Sequence, residues 1–226
     1  MKVIVSDDGS ATAWHEGYAE SYHSRFGAVS ESQLVYLDNS GLTARLTRGM
    51  PTRVLEIGFG LGLNCLLSAA SARQCQTLLR YTSIEKALIT QRDWAALNYA
   101  AVTQIAPECA PLQAMLSNPR ENHCVMRDLN AFTQLTLHTT DATAFEFPDK
   151  AFDIVYQDAF SPSVNPELWR PAFLERLYPT LVPGGVLATY CVRGAVRRAL
   201  DSAGFIVEKR PGPAGKREVL VARRAE

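Results

Sequence analysis

The sequence predicts an α/β fold, a doubly wound and mostly parallel sheet, in one domain of 226 residues. Three observations carry this. An apolar run over Arg53–Ile57 ends in glycines on alternate positions, Gly58, Gly60 and Gly62, and Leu63-Asn64-Cys65-Leu66-Leu67 follows with helix-compatible spacing. From there, short apolar runs alternate with helix-like segments. Acidic residues stand at the ends of several runs, where open α/β sheets bind ligands.

Residues 1–48 read as an N-terminal extension packed over the ligand mouth of a main domain, 49–226. They are polar and turn-rich at first, hold the polar-aromatic cluster Tyr22-His23-Ser24-Arg25-Phe26, and then offer a short alternating run, Gln33-Leu34-Val35-Tyr36-Leu37. The first strand, near 53–57, leads into a helix near 62–72. A second strand over 79–84 ends at Glu85, with a helix around 89–100. Residues 104–135 read as helical and irregular, an insertion broken at Pro107, Pro111 and Pro119. A third strand, 135–139, runs into Asp141-Ala142-Thr143, and a fourth, 152–156, ends at Asp158. A Pro-rich loop then reaches Pro166, followed by a helix around 171–177. Gly184-Gly185 turns into a fifth strand, 186–191, with a helix over 195–203. The segments 205–209 and 218–222 pair as a closing hairpin. Strands separated by helices imply right-handed crossovers.

A hydrophobic share of 47% and a charged share of 20% describe an ordinary globule. No apolar run reaches the roughly 18–20 residues that span a bilayer, and acids interrupt the first eight residues too early for a signal peptide. Five cysteines (Cys65, Cys75, Cys109, Cys124, Cys191) never fall in C-x-x-C spacing. They read as reduced thiols of a cytoplasmic protein, with no metal site. A net charge of zero argues against indiscriminate nucleic-acid binding. The C-terminal part is nonetheless basic: Arg193, Arg197, Arg198, Lys209, Arg210, Lys216 and Arg217 outnumber Asp201, Glu208 and Glu218. This reads either as a solvated face or as a local surface for a polyanion.

The glycine spacing narrows the ligand. A dinucleotide fingerprint requires G-x-G-x-x-G, whereas here the third glycine comes one residue early and Leu63 takes its place. Three alternate glycines, with Glu56 two residues before the first, form the pattern of Rossmann-like, class I S-adenosylmethionine-dependent methyltransferases. Glu56 repels phosphates and suits a cationic ligand. Glu85 follows Gly62 by 23 positions, near the spacing of about 20 residues at which a carboxylate meets ribose hydroxyls. Asp141 offers an acceptor to the exocyclic adenine amine, and Ala142 its N–H to the ring. Asp158 lies where a transferred methyl group emerges. In the loop 157–169, prolines fix the backbone, and Phe160 and Trp169 offer flat apolar surfaces; Trp169 fits core packing equally well.

Taken in order, Tyr22-His23-Ser24-Arg25, Glu56 to Asn64, Asp158-Ala159-Phe160-Ser161-Pro162, Asn165-Pro166-Glu167-Leu168-Trp169, Thr189-Tyr190-Cys191 and Lys216-Arg217-Glu218 resemble one family closely. It comprises the tRNA methyltransferases that complete 5-methylaminomethyl(-2-thio)uridine at the wobble position, found as the N-terminal half of bifunctional MnmC enzymes and as stand-alone MnmD forms. The likeness spans nearly the whole chain. Leu61 replaces an expected threonine, and Arg170 stands where a threonine often follows the tryptophan.

The resemblance implies S-adenosylmethionine held by Glu56, Gly58, Gly60, Gly62, Asn64, Glu85, Asp141, Ala142 and Asp158, with Tyr22, His23 and Ser24 closing over its methionine end. It implies tRNA contacts from Phe160, Trp169, Arg197, Arg198, Lys216 and Arg217, with Arg193 beside them. The reaction is attack by the amine of 5-aminomethyluridine on the cofactor methyl group, with Asp158 as the catalytic group, either deprotonating or orienting that amine. The flavin-dependent oxidase half of the bifunctional enzymes finds no counterpart in these residues, so methyl transfer alone is expected. A separate oxidase or aminomethyl-forming enzyme would supply the substrate. No membrane partner is implied. Fold does not fix function: a small-molecule N-methyltransferase or an aminopropyltransferase uses a similar sheet, the latter with a corridor of additional acids. A cofactor-binding module without catalysis is disfavoured by Asp158, and a nicotinamide oxidoreductase by the glycine spacing.

Overall fold

The computed structural model describes residues 1–102, 104–117 and 123–226. The chain begins with β1 (Lys2–Val5), β2 (Ala11–His15) and β3 (Glu20–Ser21), a small antiparallel sheet. Next come α1 (Ala28–Ser32), a π-helix over Gln33–Asp38 and α2 (Leu42–Thr47). The sequence reading of 33–37 as an alternating run fails here. Val35, Tyr36 and Leu37 are buried in succession, whereas a strand with one covered face buries every second residue.

The main sheet follows the sequence pattern more closely. It is built from β4 (Thr52–Ile57), β5 (Leu79–Glu85), β6 (His123–Asn130), β7 (Thr133–Thr139), β8 (Phe152–Gln157), β9 (Leu181–Thr189), β10 (Ile206–Pro211) and β11 (Glu218–Arg223). Between them lie α3 (Leu63–Cys75), α4 (Gln91–Ala95), α5 (Ala106–Met115), α6 (Pro171–Leu177) and α7 (Gly194–Ser202). The spatial order is β10-β11-β9-β8-β4-β5-β7-β6. The five strands from β9 to β7 run parallel, and β6, β10 and β11 join antiparallel. The expected doubly wound, mostly parallel sheet is present, as is the closing hairpin.

Two apolar layers sandwich it. On one face, α1, α2, α3 and α5 pack with the π-helix over Val54, Tyr81, Leu135 and Tyr156; on the other, α6 and α7 cover Leu55, Ile57, Val155 and Leu187. Helix α3 is covered on nearly every side, which explains its run of Leu, Ala and Ser without a polar face. Helix α7 is amphipathic: Val196, Ala199 and Leu200 are buried, while Arg197 and Arg198 face solvent. No helix among the described residues is long and apolar enough to cross a membrane.

Three local readings are corrected. The stretch 104–135 is not helical throughout, since β6 occupies its second half. That strand lies at the sheet edge and is largely exposed, so its polar sequence carries no burial signal. Pro107 sits at the start of α5, where a missing N–H costs nothing, and Pro111 lies inside that helix; Pro119 lies outside the described residues. The expected helix over 89–100 shortens to α4, capped by the Thr90 hydroxyl accepting from Asp93 N–H (3.1 Å), and a 3-10 turn at Tyr99–Ala101. Asn98, at a φ of 51°, breaks the two apart. Lastly, β9 begins five residues early and takes in Gly184-Gly185 beside an irregularity in its pairing with β8, and Tyr190 and Cys191 lie beyond its end.

Gly62 caps α3 with a φ of 78°, and a Cβ there would stand 2.8 Å from the Phe59 ring and 3.1 Å from Leu112. Left-handed strain costs about 1–2 kcal/mol and overpacking about 1–3 kcal/mol. Gly62→Ala is therefore expected to lose roughly 2–4 kcal/mol of stability, read as a lower urea midpoint at unchanged slope.

Candidate active site

The sheet order reverses between β4 and β8, and the crevice at such a point, beyond the carboxyl ends of the strands, is where α/β sheets bind ligands. Here the two chains nearly touch. Gly58 adopts a φ of 91°, and a Cβ on it would lie 2.7 Å from the Asp158 carbonyl oxygen. Asp158 N–H donates to the Ile57 carbonyl (3.0 Å), closing the contact. A cavity of about 440 Å³ opens above this point.

The structure brings most predicted residues to that cavity: Tyr22, Ser24, Gly58, Gly60, Asn64, Glu85, Asp141, Ala142, Asp158, Phe160 and Lys216 all line it. Its apolar floor is Ile57, Ile84 and Ala142. Glu85, at the end of β5, accepts from Gly60 N–H and Ala87 N–H, both at 3.0 Å, so its carboxylate is fixed in orientation. Burial nevertheless raises its pKa. Asp141 is engaged by Lys86 Nζ (2.9 Å) and the Thr143 hydroxyl (2.7 Å), which hold it down to about 2.

Asp158 is the centre of the site. The Tyr36 hydroxyl donates to its Oδ1, and Asn64 Nδ2 donates to its Oδ2 at 2.7 Å. Burial pushes its pKa up to about 7, against the lowering effect of those two donors; Glu31 nearby raises it and Lys216 lowers it. A carboxyl that titrates near neutrality is suited to exchange a proton with a bound amine. His23 is driven down to about 4 by burial and is neutral, accepting its place beside Thr12 Oγ1 (3.0 Å) as a structural group.

Several predicted residues are elsewhere. Glu56 is 1% exposed and lies beneath the glycine turn, outside the cavity. Strand alternation sends it to the same face as Val54, under α3, while Ile57 turns to the cavity. Gly62 is a packing position and does not line the site. Trp169 is buried, donates its indole N–H to the Phe160 carbonyl (2.7 Å) and braces the loop from behind, so it is no substrate wall. Arg197, Arg198 and Arg217 are exposed and away from the cavity lining, and Arg193 reaches the Ser163 hydroxyl (2.6 Å). Lys216 is no loose surface cation: its Nζ pairs with Glu31 Oε1 at 2.6 Å and lies 4.6 Å from the Tyr190 ring centroid.

No local pattern marks Tyr36, Glu31 or Glu20 as site residues. Each acts on a partner far along the chain: Tyr36 on Asp158, Glu31 on Lys216, and Glu20 on Ser161, whose N–H it accepts at 3.1 Å. Only the packing of residues 1–48 against the sheet joins them. His15 and Tyr18 carry no local sequence signal either. Their rings lie 5.4 and 4.6 Å from Phe160, and with Tyr22 at 5.0 Å they form an aromatic rim.

Residues 107–225, more than half of the chain, match a family described as S-adenosyl-L-methionine-dependent methyltransferase. The tRNA 5-methylaminomethyl-2-thiouridine biosynthesis bifunctional protein MnmC of Aromatoleum aromaticum is 36% identical over 98% of the chain, and that of Burkholderia mallei 35% over 97%. The chain spans about a third of the length of these relatives, 35% and 34%. The crystal structure of MNMC2 from Aquifex aeolicus superposes with a TM-score of 0.74 at 24% identity, covering 98% of this chain and 69% of the other.

The Tyr36 hydroxyl favours the ionised form of Asp158, so Tyr36→Phe removes a donor and lets burial raise that carboxyl further. The expected change is an upward shift of roughly one unit or more, in line with about 1.5–3 kcal/mol for a hydrogen bond to a charged group. A carbon-13 titration of the Asp158 carboxyl reads it directly, and an unchanged midpoint would reject the clamp.

Proposed function

The chain belongs to the S-adenosyl-L-methionine-dependent methyltransferase family, and on that premise we propose that it methylates the primary amine of 5-aminomethyl(-2-thio)uridine at the tRNA wobble position, yielding 5-methylaminomethyl(-2-thio)uridine. The observation that carries the reading is Asp158, clamped by Tyr36 and Asn64 at the crevice and titrating at about 7. The bifunctional MnmC relatives, whose names state the thiouridine product, supply the substrate class.

The residues present fit the cofactor. Asn64 Oδ1 is buried without a hydrogen-bond partner beside the cavity, as a site awaiting a donor would be. In this reading Glu85 takes the ribose hydroxyls, Asp141 and Ala142 the adenine, and Tyr22, Ser24, Gly58, Gly60 and Asn64 the methionine end. Bound there, S-adenosylmethionine supplies an electrophilic methyl group. The protein's own part is to orient the amine and take its proton. A substrate amine arrives mostly as an ammonium; Asp158, near neutrality, accepts one proton, and the exposed lone pair would then take the methyl group, the N–C bond forming as the sulfonium S–C bond breaks to leave a neutral thioether. Tyr36 and Asn64 keep both carboxylate oxygens in place while this occurs. Alignment of this kind accounts for about 7–11 kcal/mol of a barrier.

The aromatic rim of His15, Tyr18, Tyr22 and Phe160 serves as a platform for the planar base. Arg197, Arg198 and Arg217 meet phosphates outside the cavity. Residues 1–48 and 49–226 act as one unit, since Glu20, Glu31 and Tyr36 complete the site. An aminopropyltransferase is less well supported, because the acids that would form its corridor are already engaged: Glu20 by Ser161, Glu31 by Lys216, Asp141 by Lys86, Glu167 by Asn165. The reaction takes place in the cytoplasm, and a separate oxidase or aminomethyl-forming enzyme supplies its substrate.

Incubation with methyl-labelled S-adenosylmethionine and tRNA from a strain lacking the modification is expected to label 5-methylaminomethyl(-2-thio)uridine on nucleoside analysis. Label in a small amine instead would reject the tRNA reading. Asp158→Asn should lower turnover by about 10²–10⁴-fold with cofactor affinity within a few-fold; equal loss of both would remove the proton role. Replacing Arg197, Arg198 and Arg217 by alanine should flatten the dependence of log affinity for tRNA on log salt by about 2, and an unchanged slope would return these arginines to a merely solvated face.

A further inference from the structure

Glu56 is an acid at the penultimate position of the central strand β4, which is covered on both faces. A buried carboxylate needs a cation or several donors. None of the ion pairs among the described residues includes Glu56. What it has is neutral: Asn64 Nδ2 at 3.0 Å from its Oε1 and Ser83 Oγ at 2.8 Å from its Oε2, with Tyr81, Tyr156 and Cys65 facing it.

The other hydrogen of the same Asn64 amide goes to Asp158 Oδ2. One NH₂ group thus joins two carboxyls, and two full negative charges across a single amide in a covered site repel strongly. One carboxyl therefore keeps a proton. The surroundings decide which. Asp158 has the Tyr36 donor, faces Lys216 as well as Glu31 and Tyr190, and borders the open cavity. Glu56 has no cation, but it has acceptors for a proton. Ser83 Oγ can turn its own hydrogen to the Glu56 main-chain carbonyl at 3.4 Å, and the buried Tyr81 hydroxyl faces the same carboxyl.

We propose that Glu56 is a positioning residue that works as a neutral carboxylic acid, fixing the Asn64 amide so that the single negative charge of the pair rests on Asp158. The inference rests on the role given above to Asp158. It replaces the expectation that Glu56 faces the cationic ligand as an anion. Burial, followed by the charge on Asp158, lifts the Glu56 carboxyl to about 8, in agreement with the geometry.

The test is Glu56→Gln, which keeps the shape, an acceptor toward Asn64 and a donor toward Ser83. In the unfolded chain Glu56 ionises above its ordinary value of 4.5, whereas in the fold it stays protonated to about 8. Its folded pKa is raised, so the wild type loses stability as pH climbs through that window, and the glutamine variant escapes this loss. The melting temperature of the variant should gain on the wild type by at least about 4 °C between pH 5 and pH 8. The carbon-13 midpoint of Asp158 should move by less than about half a unit, and calorimetric affinity for S-adenosylmethionine by less than about threefold. An anionic Glu56 predicts the reverse: a melting difference flat in pH, an Asp158 midpoint lowered by more than a unit, and at least a tenfold loss of cofactor affinity. A variant that fails to fold also overturns the proposal, since glutamine must fold at least as well as a neutral acid. Glu56→Asp, which withdraws the carboxyl from Asn64, should disturb the Asp158 titration. These readouts need no tRNA, so a failed nucleoside assay would strike the proposed reaction and leave them standing.

Discussion

The site depends on one close approach, that of β4 and β8 at the reversal of strand order. Gly58 and the Asp158 carbonyl stand so near that no side chain fits between them. That contact fixes where Asp158 leaves the sheet, and hence which groups it can meet. Asn64 comes from the first turn of α3, whose start is set by the same glycine turn, and its amide falls between Asp158 and Glu56. A backbone constraint is thereby turned into an electrostatic one. The two acids are bound to a shared donor, and their charges are no longer independent.

The N-terminal residues complete this arrangement from the other side. The π-helix places Tyr36 on Asp158, Glu31 receives Lys216 from the closing hairpin, and Glu20 holds Ser161 at the root of the proline loop. Glu31 also accepts from Ser24 N–H (2.7 Å), so the pair with Lys216 ties together a cavity wall and the hairpin. Buried ion pairs seldom add much net stability, because desolvation offsets their attraction. Their worth here lies in geometry: the carboxylate that raises the Asp158 pKa and the ammonium that lowers it are held at a set distance from each other.

How much of this was legible in the sequence follows from the range of each interaction. Parallel strands covered on both faces, such as β4 and β8, announce themselves as apolar runs, and the acids at their ends were read with them. Strand β6 did not, because an exposed edge imposes no pattern on Met126, Arg127 or Asp128. Glu56 is legible as part of the glycine motif, but its direction is not; adjacent residues of a strand point to opposite faces. Lys216 was counted among surface cations by composition, which says nothing of a partner as distant in sequence as Glu31. The aromatic rim failed for the same reason, since His15, Tyr18 and Phe160 share no local period. Trp169, flat and apolar, carried no signal to distinguish a wall from a brace until its indole N–H was found on the Phe160 carbonyl.

Charge is arranged by depth in a way that zero net charge conceals. The cavity is lined by Glu20, Glu31, Glu85, Asp141, Asp158 and Glu167, and its cations, Lys86 and Lys216, are each tied to one of these acids. Excess negative potential inside favours a ligand that carries positive charge, as an ammonium and a sulfonium both do, and disfavours phosphate. Arg197, Arg198 and Arg217, which enter no ion pair among the described residues, are outside it on the surface. A polyanion with a cationic group on one projecting base would meet both conditions at once, its backbone on the basic surface and the base in the acidic cavity. A free polyamine satisfies only the second. The separation of the two fields, more than either alone, is what favours the proposed substrate, an aminomethylated nucleotide within an RNA.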